Sequence, residues 1–361
     1  MRKSWKSARR KERWSHKGAH DKGNIVLSTC EQSQVLFLYR EGDIMYTNEQ
    51  LQELQNMPLD DKIQMSKLRI SEFVEHYGGN AVVSFSGGKD STVLLHLART
   101  LYPEIKGVYC DTGLEYPEVK EHVKATKNIE IIRPAMSFKQ VLDKYGWVFS
   151  SKETAGKIHY ARKGSQWAIR CMQGLNHKDG SYSKFCQRYK RWAFLVDSPF
   201  KISDKCCSIM KKKPFHDYAK KNNCGMLVGT MTEESTLRKR RWLEHGCNAF
   251  NAGLSMPLSF WKGQDIFEYI VKNNITIASC YGDIVKENSR WVTTKCKRTG
   301  CMFCPIGVHL EKYPNRFQRM ATDYPKIYNY CINKLELGKL LDYVSVPYKP
   351  IEIAHCGGKE I

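Results

Sequence analysis

The chain has no run of 18 or more apolar residues, so no segment is expected to cross a membrane as a helix. Its N-terminus has no apolar stretch behind the basic residues, and a secretory signal is therefore not expected. Acidic side chains are scarce: 37 Asp and Glu stand against 58 Lys and Arg, leaving a net charge of +21 on 361 residues. An excess of that size favours a polyanionic partner, most simply nucleic acid. Cysteine, in contrast, is plentiful. Fourteen cysteines without an export signal argue against a disulfide framework. They point to a reducing, cytoplasmic setting and to thiolates that bind metal or do chemistry.

The charge is uneven. Residues 1–22 hold nine Lys and Arg against two Asp and Glu, and the rest holds 49 against 35. Residues 1–22 read as a basic arm in which Trp5 and Trp14 interrupt the charges, compatible with stacking on bases. Next come Gln34-Val35-Leu36-Phe37-Leu38-Tyr39 and Ile44-Met45-Tyr46, separated by Glu41-Gly42-Asp43, which read as a β-hairpin. Residues 48–77 are periodic, charged and closed by Gly78-Gly79, which predicts one helix with a glycine stop. From residue 80 onward, strands at 81–85, 105–110 and 128–132 alternate with helices, the pattern of a parallel α/β sheet flanked by helices. Residues 135–200 carry a helix at 137–145, then a polar, aromatic and basic stretch without a motif, where Cys171 and Cys186 read as structural. An amphipathic helix is expected at 261–271, and helices packed through Phe317, Met320, Tyr324 and Leu335 at 311–345. The expected division is an arm and hairpin at 1–49, a nucleotide-binding α/β domain at 50–260, and a helical, Cys-rich region at 261–361.

One stretch organises the chemistry. An apolar run at 81–85 leads into Ser86-Gly87-Gly88-Lys89-Asp90-Ser91-Thr92, and a helical pattern follows. Strand, glycine turn and helix N-terminus bind phosphate, because glycine lets the backbone approach the anion and the helix end offers free N–H groups. Ser86, Ser91 and Thr92 add hydroxyls, Lys89 a positive charge, and Asp90 a carboxylate that can help hold Mg2+. The Walker pattern G-x-x-x-x-G-K-[ST] is absent. Asp111 stands at the end of the next strand, where parallel sheets bind ligands. A second strand–glycine–helix passage carries Gly229, Glu234, Ser235, Arg238 and Arg241.

The thiols form a second anchor. Cys206 and Cys207 are adjacent, and Cys301-Met302-Phe303-Cys304 follows 94 residues after Cys207. The Cys-x2-Cys spacing puts two sulfurs on one centre, with Gly300 and Pro305 as turn residues. Such a set binds zinc or an iron–sulfur cluster. Cys280 and Cys296 are reserve ligands.

Ser86-Gly87-Gly88-Lys89-Asp90-Ser91 resembles the PP-loop of the adenine nucleotide α-hydrolase superfamily, which implies that ATP binds there through its β,γ-phosphates. Asp111-Thr112-Gly113-Leu114-Glu115-Tyr116-Pro117-Glu118, the Gly229–Arg238 spacing and the Cys-Cys…Cys-x2-Cys set are similar to the phosphoadenylylsulfate reductase family, cluster-bearing branch. The resemblance covers roughly residues 60–310. It implies that Cys206, Cys207, Cys301 and Cys304 hold a [4Fe–4S] cluster, with zinc as the alternative. It further implies an adenine nucleotide in contact with Gly229, Glu234, Ser235, Arg238 and Arg241.

Two departures shape the functional expectation. Reductases of this family use a C-terminal cysteine in a Glu-Cys-Gly-x-His setting, and this tail offers only His355-Cys356-Gly357. They also alter the loop that here keeps Lys89 and Asp90. The expected activity is therefore ATP cleavage between the α and β phosphates, followed by sulfur transfer to nucleic acid (DNA or tRNA) from a donor such as a cysteine desulfurase. Lys89, Asp90, Asp111 and Arg238 would do the chemistry. The runner-up is reduction of adenylylsulfate or its 3′-phosphate with Cys356 as nucleophile. A third reading is a non-catalytic nucleic-acid-binding protein with structural zinc.

Overall fold

A computed structural model describes residues 25–29, 36–40, 46–176 and 178–350. The basic arm at 1–22 and the tail with Cys356 lie outside the described residues.

Strands β1 (Ile25–Thr29) and β2 (Leu36–Arg40) pair antiparallel, with Leu27 opposite Leu38. The expected hairpin is thus half right. The strand expected at 34–39, seen at 36–40, partners residues 25–29, and the expected turn at 41–43 and Ile44-Met45 lie outside the described residues. The β-branched, apolar run at 25–29 offers a five-residue ladder, longer than Ile44-Met45-Tyr46 could supply. Tyr46 instead donates its N–H to the Leu243 carbonyl at 2.8 Å and packs its ring on Trp242.

The single helix expected over 48–77 is two, α1 (Asn48–Asn56) and α2 (Leu59–His76). Pro58 has no N–H to donate, and its ring disfavours helical backbone at Met57, which is extended with ψ 151°. Thr47 caps α1 in a reciprocal box with Gln50.

The rest alternates as expected: β3 (Ala81–Ser84), α3 (Lys89–Leu101), β4 (Gly107–Cys110), α4 (Pro117–Ala125) and β5 (Ile129–Ile132). Helices α5 (Phe138–Tyr145), α6 (Lys152–Ala161), α7 (Gln166–Met172), α8 (Gln187–Lys190) and α9 (Lys205–Cys207) follow. A π turn at Ser208–Lys212 joins α9 to α10 (Lys213–Asn222). The chain then returns to the sheet with β6 (Gly225–Val228), α11 (Thr236–His245), β7 (Asn248–Ala249) and β8 (Leu254–Ser255). After α12 (Gly263–Lys272) comes a hairpin, β9 (Ile284–Glu287) and β10 (Arg290–Thr293). Its turn residues Asn288 and Ser289 both have positive φ, as a type I′ turn requires. Helices α13 (Arg316–Asp323), α14 (Pro325–Asn329) and α15 (Leu337–Tyr343) complete the described chain.

The main sheet has the order β5-β4-β3-β6-β8-β7, and every pair in it is parallel except β7 with β8. From β3 the chain moves out through β4 and β5, then crosses back to lay β6 on the other side of β3. That reversal leaves a crevice beyond the carboxyl ends of β3 and β6, the position at which such sheets bind ligands.

Two hydrophobic cores result. One packs α2, α3 and α12 against the sheet through Phe73, Phe85, Leu94, Leu97, Trp261 and Ile266. Within it the buried Lys62 ammonium donates to Asp265 at 2.6 Å. The second core draws on residues 114–210 and 302–348, with Phe149, Ile158, Leu195, Phe317 and Leu337 fully buried. Among the described residues no helix is long and apolar enough to cross a membrane.

Candidate nucleotide and thiol site

The glycine turn after β3 occupies that crevice. Gly87 has φ +70°, which a side chain rarely adopts, and a Cβ there would lie 2.7 Å from Val119 and 2.8 Å from Val123 of α4. Gly88 caps α3 without a side-chain hydrogen bond, so the first turn of α3 keeps N–H groups for a ligand. Hydroxyls brace the loop. Ser86 N–H donates to Ser91 Oγ at 3.1 Å, and Ser91 Oγ and Thr92 Oγ1 donate to the Gly88 carbonyl at 2.9 and 3.1 Å. Thr92 Oγ1 also shares a hydrogen bond with His122 Nε2 of α4 at 3.2 Å.

Lys89 is buried, and its ammonium sits 2.5 Å from Asp90 Oδ1 and 5.3 Å from the centre of the Phe267 ring. The loop is also held from a direction that the motif does not disclose. Lys89 N–H donates to Tyr281 Oη at 3.1 Å, and Tyr281 Oη shares a hydrogen bond with Thr299 Oγ1 at 2.8 Å. Both residues lie about 190 positions downstream or more, and neither was foreseen. The only local signals for them are a tyrosine beside Cys280 and a threonine two residues before Cys301.

The second strand–glycine–helix passage meets the first. A Cβ on Gly229 would lie 3.0 Å from the Asp90 carbonyl, so the two loops touch backbone to backbone. Glu234 forms ion pairs with Arg238 and with Arg298 and accepts the Met231 N–H at 3.2 Å. Ser235 caps α11 by accepting the Arg238 N–H at 3.3 Å. Burial lowers the guanidinium pKa of Arg238, and Arg298 adds to the effect, while Asp90 opposes it. The loop that leads into α11 and Arg238 thus lies against the glycine turn. Arg241 is exposed on α11.

Asp111 follows β4 and is no helix cap, because α4 starts at Pro117. Its carboxylate pairs with Lys120 at 3.3 Å and with Arg133 at 3.8 Å. The strand order puts it one strand from the glycine turn.

The four expected thiols come from two segments of the second core. Cys206 and Cys207 close α9, and Cys301 and Cys304 follow the β9–β10 hairpin. Burial and neighbouring groups push the four thiols in different directions. Cys206 is pushed far up by its hydrogen bond to Cys207 and by burial, with Cys301 and Cys304 adding to it. Cys207 is pulled down to about 5, first by the Cys206 hydrogen bond and then by Lys152 and Lys211, against burial. Cys301 is pushed up to about 11 by burial, which Lys211 partly offsets. Burial also raises Cys304, while the Ile306 N–H, Arg316 and Lys152 work against it. Burial opposes the charge on Lys211, yet Cys301 and Glu115 outweigh it and hold its pKa up. Lys152, Lys211 and Arg316 thus surround the thiols with positive charge, which the Cys pattern alone did not reveal. Among the described residues no group of three or more His, Cys, Asp or Glu side chains is arranged to hold a metal ion.

The reserve ligands stand apart as a pair. Cys296 N–H donates to the Cys280 carbonyl at 3.2 Å, and the two cysteines pack with Val119, Ala278 and Tyr281. Cys171 and Cys186, expected to be structural, lie in the second core with their sulfurs 3.8 Å apart.

A glycine turn at the switch point of a parallel sheet, with a cysteine-bearing helical flank, defines a class of α/β protein. The chain belongs to the phosphoadenosine phosphosulfate reductase domain family, whose profile matches residues 80–166 and 168–306, more than half of its length. It is 23% identical over 256 residues to an uncharacterized protein of Methanocaldococcus jannaschii, covering 70% of this chain and 47% of that protein. It is 32% identical over 104 residues to a phosphoadenosine 5′-phosphosulfate reductase of Thiocapsa roseopersicina, covering 27% of this chain and 41% of that one. An adenosine 5′-phosphosulfate reductase of Lysinibacillus sphaericus is 21% identical over 207 residues, covering 56% of this chain and 67% of that one. The chain spans less than half the length of the first two relatives.

Proposed function

We propose that the protein is an enzyme that cleaves ATP between its α and β phosphates and uses the adenylate to install sulfur in a nucleic acid. The observation that carries this reading is the intact phosphate loop at the switch point, with Lys89 and Asp90 paired 2.5 Å apart at its mouth. The β,γ-phosphates would take the free N–H groups of α3 and the hydroxyls of Ser86 and Ser91. Lys89 would carry the charge that develops on the departing pyrophosphate, and Asp90 and Asp111 supply carboxylates suited to Mg2+. Arg238, close to Asp90, is suited to the α-phosphate.

An oxygen of the acceptor attacks the α-phosphorus. The new P–O bond forms as the bond to the β-phosphate oxygen breaks, and pyrophosphate leaves with its electron pair. A sulfur nucleophile then forms a C–S bond at the activated carbon, and AMP leaves with the oxygen. Positioning and fixed charge supply the rate.

Cys206, Cys207, Cys301 and Cys304 would hold a [4Fe–4S] cluster. The donor chemistry supports it: the two cysteine pairs belong to one helical core, and Lys152, Lys211 and Arg316 would offset the negative charge of a tetrathiolate cluster. When bound, such a cluster supplies iron-held sulfur or electrons for handling sulfur.

The reductases among the relatives favour a second reading, in which adenylylsulfate or its 3′-phosphate replaces ATP and sulfite is released. One assay separates the two. Protein purified without oxygen is given ATP with and without nucleic acid, and separately adenylylsulfate. Pyrophosphate from ATP, lost in Lys89→Ala, supports the first reading. Sulfite from adenylylsulfate with no pyrophosphate from ATP replaces it with the second.

A further inference from the structure

The surface of the second core carries a feature that the proposed reaction does not use. Between residues 151 and 200, ten Lys and Arg stand against three Asp and Glu. In the same stretch Tyr160, Trp167 and Phe185 are 36%, 41% and 60% exposed. Isolated exposed rings are ordinary, but these three are linked. The ring centres of Tyr160 and Trp167 are 5.7 Å apart. The Lys157 ammonium lies 5.2 Å from the Trp167 ring and 4.5 Å from Tyr189. The Arg188 guanidinium lies 4.8 Å from Tyr189 and 3.7 Å from Phe185. At the other end the Lys205 ammonium is 5.5 Å from the Tyr160 ring and donates to its hydroxyl at 3.4 Å.

Rings and cations thus form one chain of contacts from Lys205 through Tyr160, Trp167, Lys157, Tyr189 and Arg188 to Phe185; Tyr189 is buried and Lys157 largely so beneath it, while Arg188 and the rings of Tyr160, Trp167 and Phe185 face solvent. Glu153 fixes the cations, pairing with Arg188 at 2.9 Å and with Lys157 at 3.8 Å. The Lys205 end adjoins Cys206 in the chain, and Lys152, on the same helix as Lys157, acts on Cys207.

Alternating flat rings and positive charges match an unpaired polynucleotide, whose bases stack while its phosphates meet the cations. A duplex hides its base faces, whereas the loop of a folded RNA presents them without strand separation. We propose that this ribbon docks a single-stranded RNA loop, with bases stacked on Tyr160, Trp167 and Phe185 and phosphates against Arg188 and Lys205, Lys157 bracing Trp167 from beneath. The inference rests on the reading of the acceptor as a nucleic acid, and adds the acceptor's class and its track toward the thiols.

The test is binding of a hairpin RNA with 2-aminopurine in its loop to the full-length, anaerobically purified protein. Trp167→Ala and Phe185→Ala should each weaken binding by roughly five- to a hundredfold and reduce the fluorescence change of the loop base. Lys205→Gln with Arg188→Gln should flatten the slope of log affinity against log salt by about 0.7 for each phosphate no longer neutralised. Val271→Ala, which removes an exposed apolar side chain on α12, should bind like the parent. Melting temperatures of all variants show that each is folded. Ring variants that bind the hairpin as the parent does, or a parent that prefers a duplex of the same sequence, would overturn the proposal. Pyrophosphate release from ATP alone keeps the two readings apart. Binding that ignores the ribbon, with release intact, defeats only the ribbon, and intact binding without release defeats only the reaction.

Discussion

The nucleotide loop and the thiol group sit in one molecule but are built differently. The loop is made of consecutive residues, 86–92, fixed by a strand end, two glycines and short-range hydroxyl bonds. The thiols come from segments 94 positions apart that both pack in or against a helical core with no part in the main sheet. The first kind of site depends on backbone geometry, which a sheet supplies almost regardless of its other side chains. The second depends on packing between remote helices and on the cations Lys152, Lys211 and Arg316. Stability and chemistry should therefore be separable in one half and entangled in the other.

The largest expected effect is in the sheet core. Asp265→Ala leaves the Lys62 ammonium buried without its partner and should cost about 3–5 kcal/mol, read by denaturant unfolding. Because α12 also brings Phe267 to Lys89, nucleotide affinity should fall with it. Lys89→Ala should instead leave the melting transition near that of the parent and lower pyrophosphate release by about 10²–10³. If it unfolded the protein, loop chemistry and fold would not be separable.

Leu337→Ala tests the other half. It opens a cavity in the helical core and should cost about 2–5 kcal/mol. It should disturb the thiols, seen as altered cluster absorbance or alkylation, while ATP affinity stays unchanged. Equal loss of both would mean that the two cores behave as one.

The smallest effect is on pH dependence. Burial holds the His122 imidazole below its usual value of 6.5 beside Thr92. The fold favours neutral His122, so its contribution is complete above about pH 6.5 and fades as pH falls through the lower, folded value. His122→Gln should flatten the acid-side fall of the melting temperature, and an unchanged slope would mean that His122 has no part in it.

The same contrast explains what could be read from the sequence. The 81–101 strand–turn–helix was legible because every determinant is local: an apolar run, two glycines, a helical period. The alternation from 80 to 132 gave the parallel sheet for the same reason. Tyr281 and Thr299, which brace the loop, were not legible, since only the fold brings them 2.8–3.1 Å from their partners. The Cys-Cys and Cys-x2-Cys spacings exposed the thiols, but not the cations around them. The hairpin error had a local cause as well. A glycine-bearing turn at 41–43 outweighed a longer apolar run at 25–29, and strand partnership is not encoded in either strand alone. Pro58 was a plain helix break within a strongly periodic stretch.

The most direct measurement is anaerobic quantification of pyrophosphate and AMP from ATP, with and without RNA, by the parent and by Lys89→Ala. An ATP-cleaving sulfur transferase yields pyrophosphate in the parent, more of it with RNA, AMP appearing as sulfur is transferred, and a loss of about two orders of magnitude or more in the variant. A parent that yields no pyrophosphate under any of these conditions, yet releases sulfite from adenylylsulfate, would contradict it.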